Sequence, residues 1–166
     1  MEVFLALGSN LDSPIHQVLK AFDCLESHPK LKLIKRASLY SSSPLGPQDQ
    51  DDFVNSAALV TTELPPHELL QQTQALETSF GRMKTRHWGE RIIDIDIIFY
   101  GQESLSLKEP DLCIPHREAL RRDFVLIPCL ELVPNWRLPN GEPLANYSTD
   151  TGQHNLKKID LNLACS

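Results

Sequence analysis

Two aspartates, Asp94 and Asp96, stand inside an otherwise apolar run, Arg91-Ile92-Ile93-Asp94-Ile95-Asp96-Ile97-Ile98-Phe99-Tyr100. β-Branched and aromatic side chains dominate the run, so it reads as a strand. Successive side chains of a strand point to opposite faces, which places Ile93, Ile95, Ile97 and Phe99 together and both carboxylates on the other side. Their Cα atoms are then about 7 Å apart. Carboxylates at that spacing repel and lose hydration, so a partner must hold them. A divalent cation suits the role, because carboxylates together with substrate phosphates are a common ligand set for Mg²⁺. The plainer alternative is a pair of surface aspartates on the wet face of a sheet, opposite Lys or Arg.

Just before the pair, residues 82–91 carry Arg82, Lys84, Arg86 and Arg91 against Glu90 alone, and Arg117, Arg121 and Arg122 follow later. The whole chain has a formal charge of −6, which argues against a general nucleic-acid binder. Compact cationic clusters in an acidic protein point instead to a small anionic ligand. Guanidinium forks suit phosphate oxygens and the charge that gathers on them in a transition state. No G-x-x-x-x-G-K-[ST] loop and no G-x-G-x-x-G turn is present, so any nucleotide that binds must have its phosphates held by side chains and metal. Trp88 lies inside the basic segment, and Phe53 and Phe124 lie at the edges of predicted elements. Such aromatics either sandwich a flat heterocycle or plug the base of a sheet. Asn55 shares a strand face with Phe53 and is either a solvent-edge residue or a reader of ring donors and acceptors. His116, after Pro115, suits a helix cap or a phosphate contact.

The chain of 166 residues, 41% apolar and 23% charged, is expected to form a single globular domain over 1–166 without staples. Cys24, Cys113, Cys129 and Cys165 are scattered without C-x-x-C spacing, which suits idle thiols in a reducing compartment. The N-terminus lacks signal-peptide features, and no apolar stretch approaches the roughly 20 residues that span a bilayer. A cytoplasmic protein that contacts neither membrane nor nucleic acid is the expectation.

The elements that must position these residues follow from periodicity. Glu2–Leu7 is a first strand, closed by Gly8-Ser9-Asn10. A helix then starts with Ser13 as N-cap and Pro14 in its first turn, carries Ile15, Val18, Leu19, Phe22 and Leu25 at helical spacing, and ends at His28-Pro29. Leu31–Tyr40 is a second strand, 41–52 a loop and Phe53–Thr62 a third strand. Pro65-Pro66 opens a second helix with Leu69, Leu70, Leu76 and Phe80 inward and Gly81 as C-cap. Ile92–Tyr100 is the fourth strand. The order β-α-β-β-α-β predicts an α+β, ferredoxin-like sandwich with an antiparallel sheet, the first and last strands side by side at its middle. Glu118–Arg122 and Phe124–Leu132 are expected as short helices interrupted by Pro128. A C-terminal extension follows, and the tail 148–166 has no assigned role.

The residues resemble one family, 6-hydroxymethyl-7,8-dihydropterin pyrophosphokinase of folate biosynthesis. The match runs in order through Leu7-Gly8-Ser9-Asn10-Leu11, Ser43-Pro44-Leu45-Gly46-Pro47-Gln48-Asp49-Gln50, Phe53-Val54-Asn55, Gln74 with Glu77, and Gly81-Arg82. It continues through Arg86-His87-Trp88-Gly89 with Arg91, Asp94-Ile95-Asp96-Ile97, Ile114-Pro115-His116 and Arg122-Asp123-Phe124-Val125-Leu126. Residues 1–147 are covered. The resemblance implies a transferase that moves the terminal diphosphate of ATP to the hydroxymethyl oxygen of the pterin and releases AMP. It implies Asp94 and Asp96 on two Mg²⁺ ions, Arg82 and Arg91 on the transferred diphosphate, and Lys84 or Arg86, His116 and Arg122 on ATP. Gln74, Glu77 and Ile97 would surround the nucleoside. The pterin would stack between Phe53 and Phe124, near Trp88 and Leu45, read by Asn55 and the Ser42-Ser43 backbone. Loops 43–52 and 82–91 would close over both substrates. The stretch from Arg82 to Trp88 is one residue shorter than the family pattern. Phe53 replaces a frequent tyrosine, Cys113 a usual threonine, and Arg117 stands where an aromatic or proline is common. The size and reaction need no partner subunit, so a monomer is expected.

Two other classes compete. A nucleotidyltransferase also places Gly-Ser after a strand and Asp-x-Asp later, but the gap from Gly8-Ser9 to Asp94 is wide for it. An RNA-binding module shares the element order, yet lacks support from an acidic chain without aromatic-rich strands.

Overall fold

The computed structural model describes residues 1–44, 48–81, 91–147 and 155–161. Its order is β1 (Glu2–Ser9), α1 (Pro14–Ser27), β2 (Leu31–Arg36), β3 (Tyr40–Ser42), β4 (Phe53–Thr62), α2 (Pro66–Ser79) and β5 (Asp94–Tyr100). A hairpin, β6 (Leu105–Leu107) and β7 (Leu112–Ile114), follows, then α3 (Asp123–Leu132) and β8 (Lys157–Lys158). The principal sheet runs β5-β1-β4-β3-β8, with β2 also on β4, and the pairings are antiparallel. The α+β sandwich expected from the element order is therefore present. β5 does lie beside β1, but at the sheet's edge; β1 and β4 occupy the middle.

Alternation sorts each strand between two cores. Val3, Leu5, Leu7, Val54, Ala58 and Val60 meet Val18, Phe22 and Leu25 of α1 and Leu69 of α2. Phe4, Ala6, Ala57 and Leu59 meet Val125, Leu126, Cys129 and Leu132 of α3. The C-terminal extension thus covers the face that the first two helices leave open. Pro128 sits within α3 without ending it, so the expected interruption does not occur, and 119–121 is a 3₁₀ turn. Phe4 stacks edge-on against Phe99, with centroids 5.5 Å apart. Burial among these groups pushes the Cys129 thiol up to about 12.

Several local expectations change for identifiable reasons. The pairing of β1 with β5 slips between Phe4 and Leu5, which leaves Ile98 as the extra residue. Beyond this bulge the faces exchange, so Phe99 packs with Phe4 and not with Ile93, Ile95 and Ile97. The second strand splits into β2 and β3, with one register shift between Leu33 and Lys35 and another residue gained before Tyr40 pairs with Asn55. Two bulges cancel in parity, so Leu31, Leu33 and Leu39 still share one core. Ser56 Oγ donates to the carbonyls of Ala37 at 3.1 Å and Ser38 at 2.9 Å, satisfying backbone that the interruption frees. The fourth strand begins at Asp94 rather than Ile92. Ser13 occupies the α1 N-cap position but makes no side-chain cap, its φ being 63°; Gln17 Nε2 instead donates to the Asp12 carbonyl at 2.8 Å. α2 ends at Ser79 with Phe80, not Gly81, as its C-cap; Gly81 follows one position later at φ 82°, where the left-handed backbone favours glycine. Leu69 and Phe80 are buried, whereas Leu70 and Leu76 are half-buried.

The tail acquires a structural place. β8 pairs with Tyr40 and Ser41, the Ile159 N–H donates to the Leu39 carbonyl at 2.8 Å, and Asn155 Nδ2 donates to Ser43 Oγ at 3.0 Å. It covers an otherwise open strand edge. Among the described residues, no helix is long and apolar enough to cross a membrane.

Candidate active site

A cleft of about 560 Å³ opens on the α3 side of the sheet. Cross-strand register builds its floor: Gly8 stands between Asn55 of β4 and Asp94 of β5, and Ala6 between Ala57 and Asp96. Small residues on β1 thus leave room above the polar groups of its neighbours. A methyl group at position 8 would lie 3.4 Å from Asn55 Oδ1 and cover that acceptor. The amide is oriented by Ser42, whose Oγ accepts from Asn55 Nδ2 at 2.7 Å. Ser42, Ser43 and Phe53 complete this end of the cleft.

Asp94 and Asp96 are half-buried and line the same cleft, as alternation in the run requires. Arg91 Nε lies 3.7 Å from Asp94 Oδ1, which puts the guanidinium beside the carboxylate pair. Between the aspartates, the Ile95 N–H donates to Oε2 of the buried Glu77 at 2.9 Å. This contact satisfies the outward backbone donor of an edge strand between the two carboxylates. Glu77 itself does not line the cleft, and Gln74 is exposed on α2. The cleft wraps past β5 to reach Ile97 and Leu70 on the helix side.

Opposite the sheet, the start of α3 and the turn before it contribute Arg122, Phe124 and His116. The Arg122 guanidinium lies 5.7 Å from the Phe124 ring centroid, a cation–π contact that orients both. His116 is anchored by its N–H to the carbonyl of the bulged Ile98, at 3.0 Å. Its Nδ1 accepts from the Glu118 N–H at 3.2 Å, so the neutral ring carries its proton on Nε2. Burial first, then the Arg122 charge, holds the imidazole below its usual 6.5.

A stability consequence follows from that shift. Below 6.5 the unfolded chain binds a proton that native His116 refuses, so the contribution is intact above 6.5. It is lost as pH falls, levelling off below the native value. An NMR titration of His116 is expected to show a midpoint under 6.5, and His116→Gln a flatter acid limb in urea unfolding; a midpoint above 6.5 would contradict this arrangement.

The cleft therefore gathers Arg91, Asp94, Asp96, Ile97, His116, Arg122, Phe124, Phe53, Asn55, Ser42 and Ser43 from separate elements. Leu45, Arg82, Lys84, Arg86 and Trp88 lie outside the described residues. The β6–β7 hairpin adds Cys113 to the lining and Asp111 to the mouth, where Arg117 Nη2 meets Asp111 Oδ1 at 3.0 Å. Its strands are three residues each; the alternation in Leu105-Ser106-Leu107 and Leu112-Cys113-Ile114 was its only signal. Among the described residues no group of three or more His, Cys, Asp or Glu could hold a metal. A cation at the aspartate pair would draw its remaining ligands from a substrate and water, the pattern usual for Mg²⁺. The site thus combines two carboxylates, cationic groups and flanking aromatic rings, a set suited to phosphoryl-group transfer onto a flat acceptor.

Comparison with known proteins gives the same direction. Residues 4–134 match the family model 7,8-dihydro-6-hydroxymethylpterin-pyrophosphokinase. The 2-amino-4-hydroxy-6-hydroxymethyldihydropteridine pyrophosphokinase of Haemophilus influenzae is 38% identical over 157 residues, 95% of this chain and 97% of that one. Its namesake from Pseudomonas aeruginosa is 44% identical over 142 residues, 86% of each. Among solved structures, an HPPK-DHPS in complex with substrates aligns with a TM-score of 0.68 at 15% identity, over 89% of this chain and 44% of that chain; this likeness supports the fold alone. With the family model spanning most of its length and relatives aligned nearly end to end, the chain belongs to the 7,8-dihydro-6-hydroxymethylpterin-pyrophosphokinase family and is a pyrophosphokinase of folate biosynthesis.

Proposed function

We propose that the chain transfers the terminal diphosphate of ATP to 6-hydroxymethyl-7,8-dihydropterin in the cytoplasm, as a monomer. The hydroxymethyl oxygen forms a bond to the β-phosphorus of ATP, the bond from that phosphorus to the bridging α–β oxygen breaks, AMP departs with that oxygen, and the hydroxyl proton is released. One observation carries the reading: Asp94 and Asp96 line a single cleft with Arg91, His116 and Arg122 on one hand and Phe53, Asn55 and Phe124 on the other.

Asp94 and Asp96 would hold Mg²⁺, two ions in this reading, and the bound metal supplies neutralisation of phosphate charge. Arg91 and Arg82 grip the diphosphate in transit, while Arg122, His116 and Lys84 or Arg86 hold the rest of the polyphosphate. The His116 Nε2 proton is a donor without requiring a charged ring. Ile97, with Gln74 and Glu77 on α2, belongs to the nucleoside side, where Glu77 acts through the Ile95 backbone. Phe53 and Phe124 stack the pterin with Trp88 and Leu45 nearby, and Asn55 Oδ1 with the Ser42-Ser43 backbone reads its edge. Both substrates are thereby held for in-line displacement, with little covalent work left to the protein.

A coupled assay should detect AMP release that requires both the hydroxymethyl-dihydropterin and Mg²⁺. ADP as the product, or turnover without pterin, would refute the assignment.

A further inference from the structure

Asn10 lies just past β1, is 1% exposed and does not line the cleft, yet it joins three chain segments. Its Nδ2 donates to Gln50 Oε1 at 2.9 Å and to the Asp51 carbonyl at 3.0 Å. Its Oδ1 accepts from the Arg91 N–H at 2.8 Å, and its own N–H donates to the Arg91 carbonyl at 3.0 Å. Both amide hydrogens are committed to one segment, and both backbone polar groups of Arg91 bond to Asn10, its carbonyl accepting also from Ser9 Oγ at 3.5 Å. Gln50 and Asp51 lead directly into Phe53. Arg91 leads into Asp94, beside which its guanidinium rests.

We propose that Asn10 is a positioning residue that sets the Gln50–Asp51 turn and the Arg91 backbone as one unit, so the acceptor end and the cationic end of the cleft are placed together. The inference rests on the pyrophosphokinase reading for its kinetic consequence, though not for its geometry. A buried, fully bonded asparagine serving stability alone would have no reason to transmit a change at Gln50 to Arg91. As a linker it must, because loss of the Gln50 acceptor leaves one buried Nδ2 hydrogen unpaired. The amide then rotates or shifts, and the Oδ1 contact to Arg91 moves with it. Gln50 is also outside the cleft lining, so the exchange rate at the Arg91 amide, read together with turnover, reports on the path through Asn10.

The test uses the full chain and substitutions at Gln50. Gln50→Ala is expected to lower kcat about tenfold with little change in KM for either substrate, and to speed hydrogen exchange at the Arg91 amide, which Gln50 does not touch. Gln50→Glu keeps an acceptor for Asn10 Nδ2 and should restore both readings. Asn10→Asp keeps the acceptor for Arg91 but cannot donate to Gln50 or Asp51, so adding Gln50→Ala to it should bring no further loss. If Asn10→Asp does not fold, the same non-additivity is sought with Arg91→Ala. A kcat for Gln50→Ala within twofold of the parent, unchanged exchange at Arg91, or fully additive effects would overturn the proposal. Absence of turnover in the parent would count against the reaction assigned above; the exchange comparison between Gln50→Ala and Gln50→Glu then decides this inference by itself.

Discussion

Asp96→Ala is expected to lower diphosphate transfer by about 10³-fold or more, equivalent to about 4 kcal/mol of transition-state stabilisation. The urea midpoint should stay close to the parent's. Asp96 stands opposite Ala6, half-buried at the floor of the cleft and away from both cores, so its removal opens no cavity in packed structure. Its loss leaves a single carboxylate, which weakens the hold on a cation and no longer fixes its position against the polyphosphate. Asp96→Asn, which preserves shape, should behave like Asp96→Ala. Paired measurements of AMP release across a Mg²⁺ titration and of urea unfolding check the prediction. Near-parental turnover by either variant would remove the carboxylate pair from the mechanism, and a large loss of stability would assign Asp96 to the fold.

Arg91→Ala is expected to lower kcat by about 10²- to 10³-fold, the usual consequence of removing one preorganised donor from a site of developing charge. Both backbone polar groups of Arg91 are held by Asn10, so the substitution removes the guanidinium and leaves the chain path intact. Arg91→Lys should recover only part of the rate, because an ammonium supplies charge without the planar fork that meets two phosphate oxygens. Steady-state kinetics with each substrate varied will distinguish the roles. A rise in KM for ATP at constant kcat would mean that Arg91 binds ground state and transition state equally, contrary to its assignment to the group in transit.

Much of the site was legible because its signals are local. Alternation alone puts Asp94 and Asp96 on one face, and both line the cleft. The Phe53–Thr62 strand was bounded as observed, since a β-branched and small-residue run with a turn-rich approach admits little else. Phe99 was misplaced because a bulge depends on how β1 and β5 pair, which neither strand reveals by itself. The split of the second strand has the same origin, with Ser56 on β4 accommodating it. The β6–β7 hairpin was missed because three-residue strands carry too few alternations to stand out. β8 was missed because its two lysines have no strand signature and gain order only by pairing with Tyr40 and Ser41.

Residue types and their spacing by themselves determined the chemistry: paired carboxylates, a cationic approach, aromatic and amide groups, and the alternating order of strands and helices. These follow from side-chain pKa values, from the two-residue and 3.6-residue periods, and from turn propensities, all of which act over a few neighbours. Tertiary structure alone decided that Asn55, Gly8 and Asp94 form one row, that Glu77 bonds the backbone between the aspartates, and that Asn10 binds Gln50 and Arg91 across 40 and 81 positions. Cross-strand register and buried hydrogen bonds join groups far apart in the chain. Their partners exist only once the sheet has closed and water has been excluded from between them.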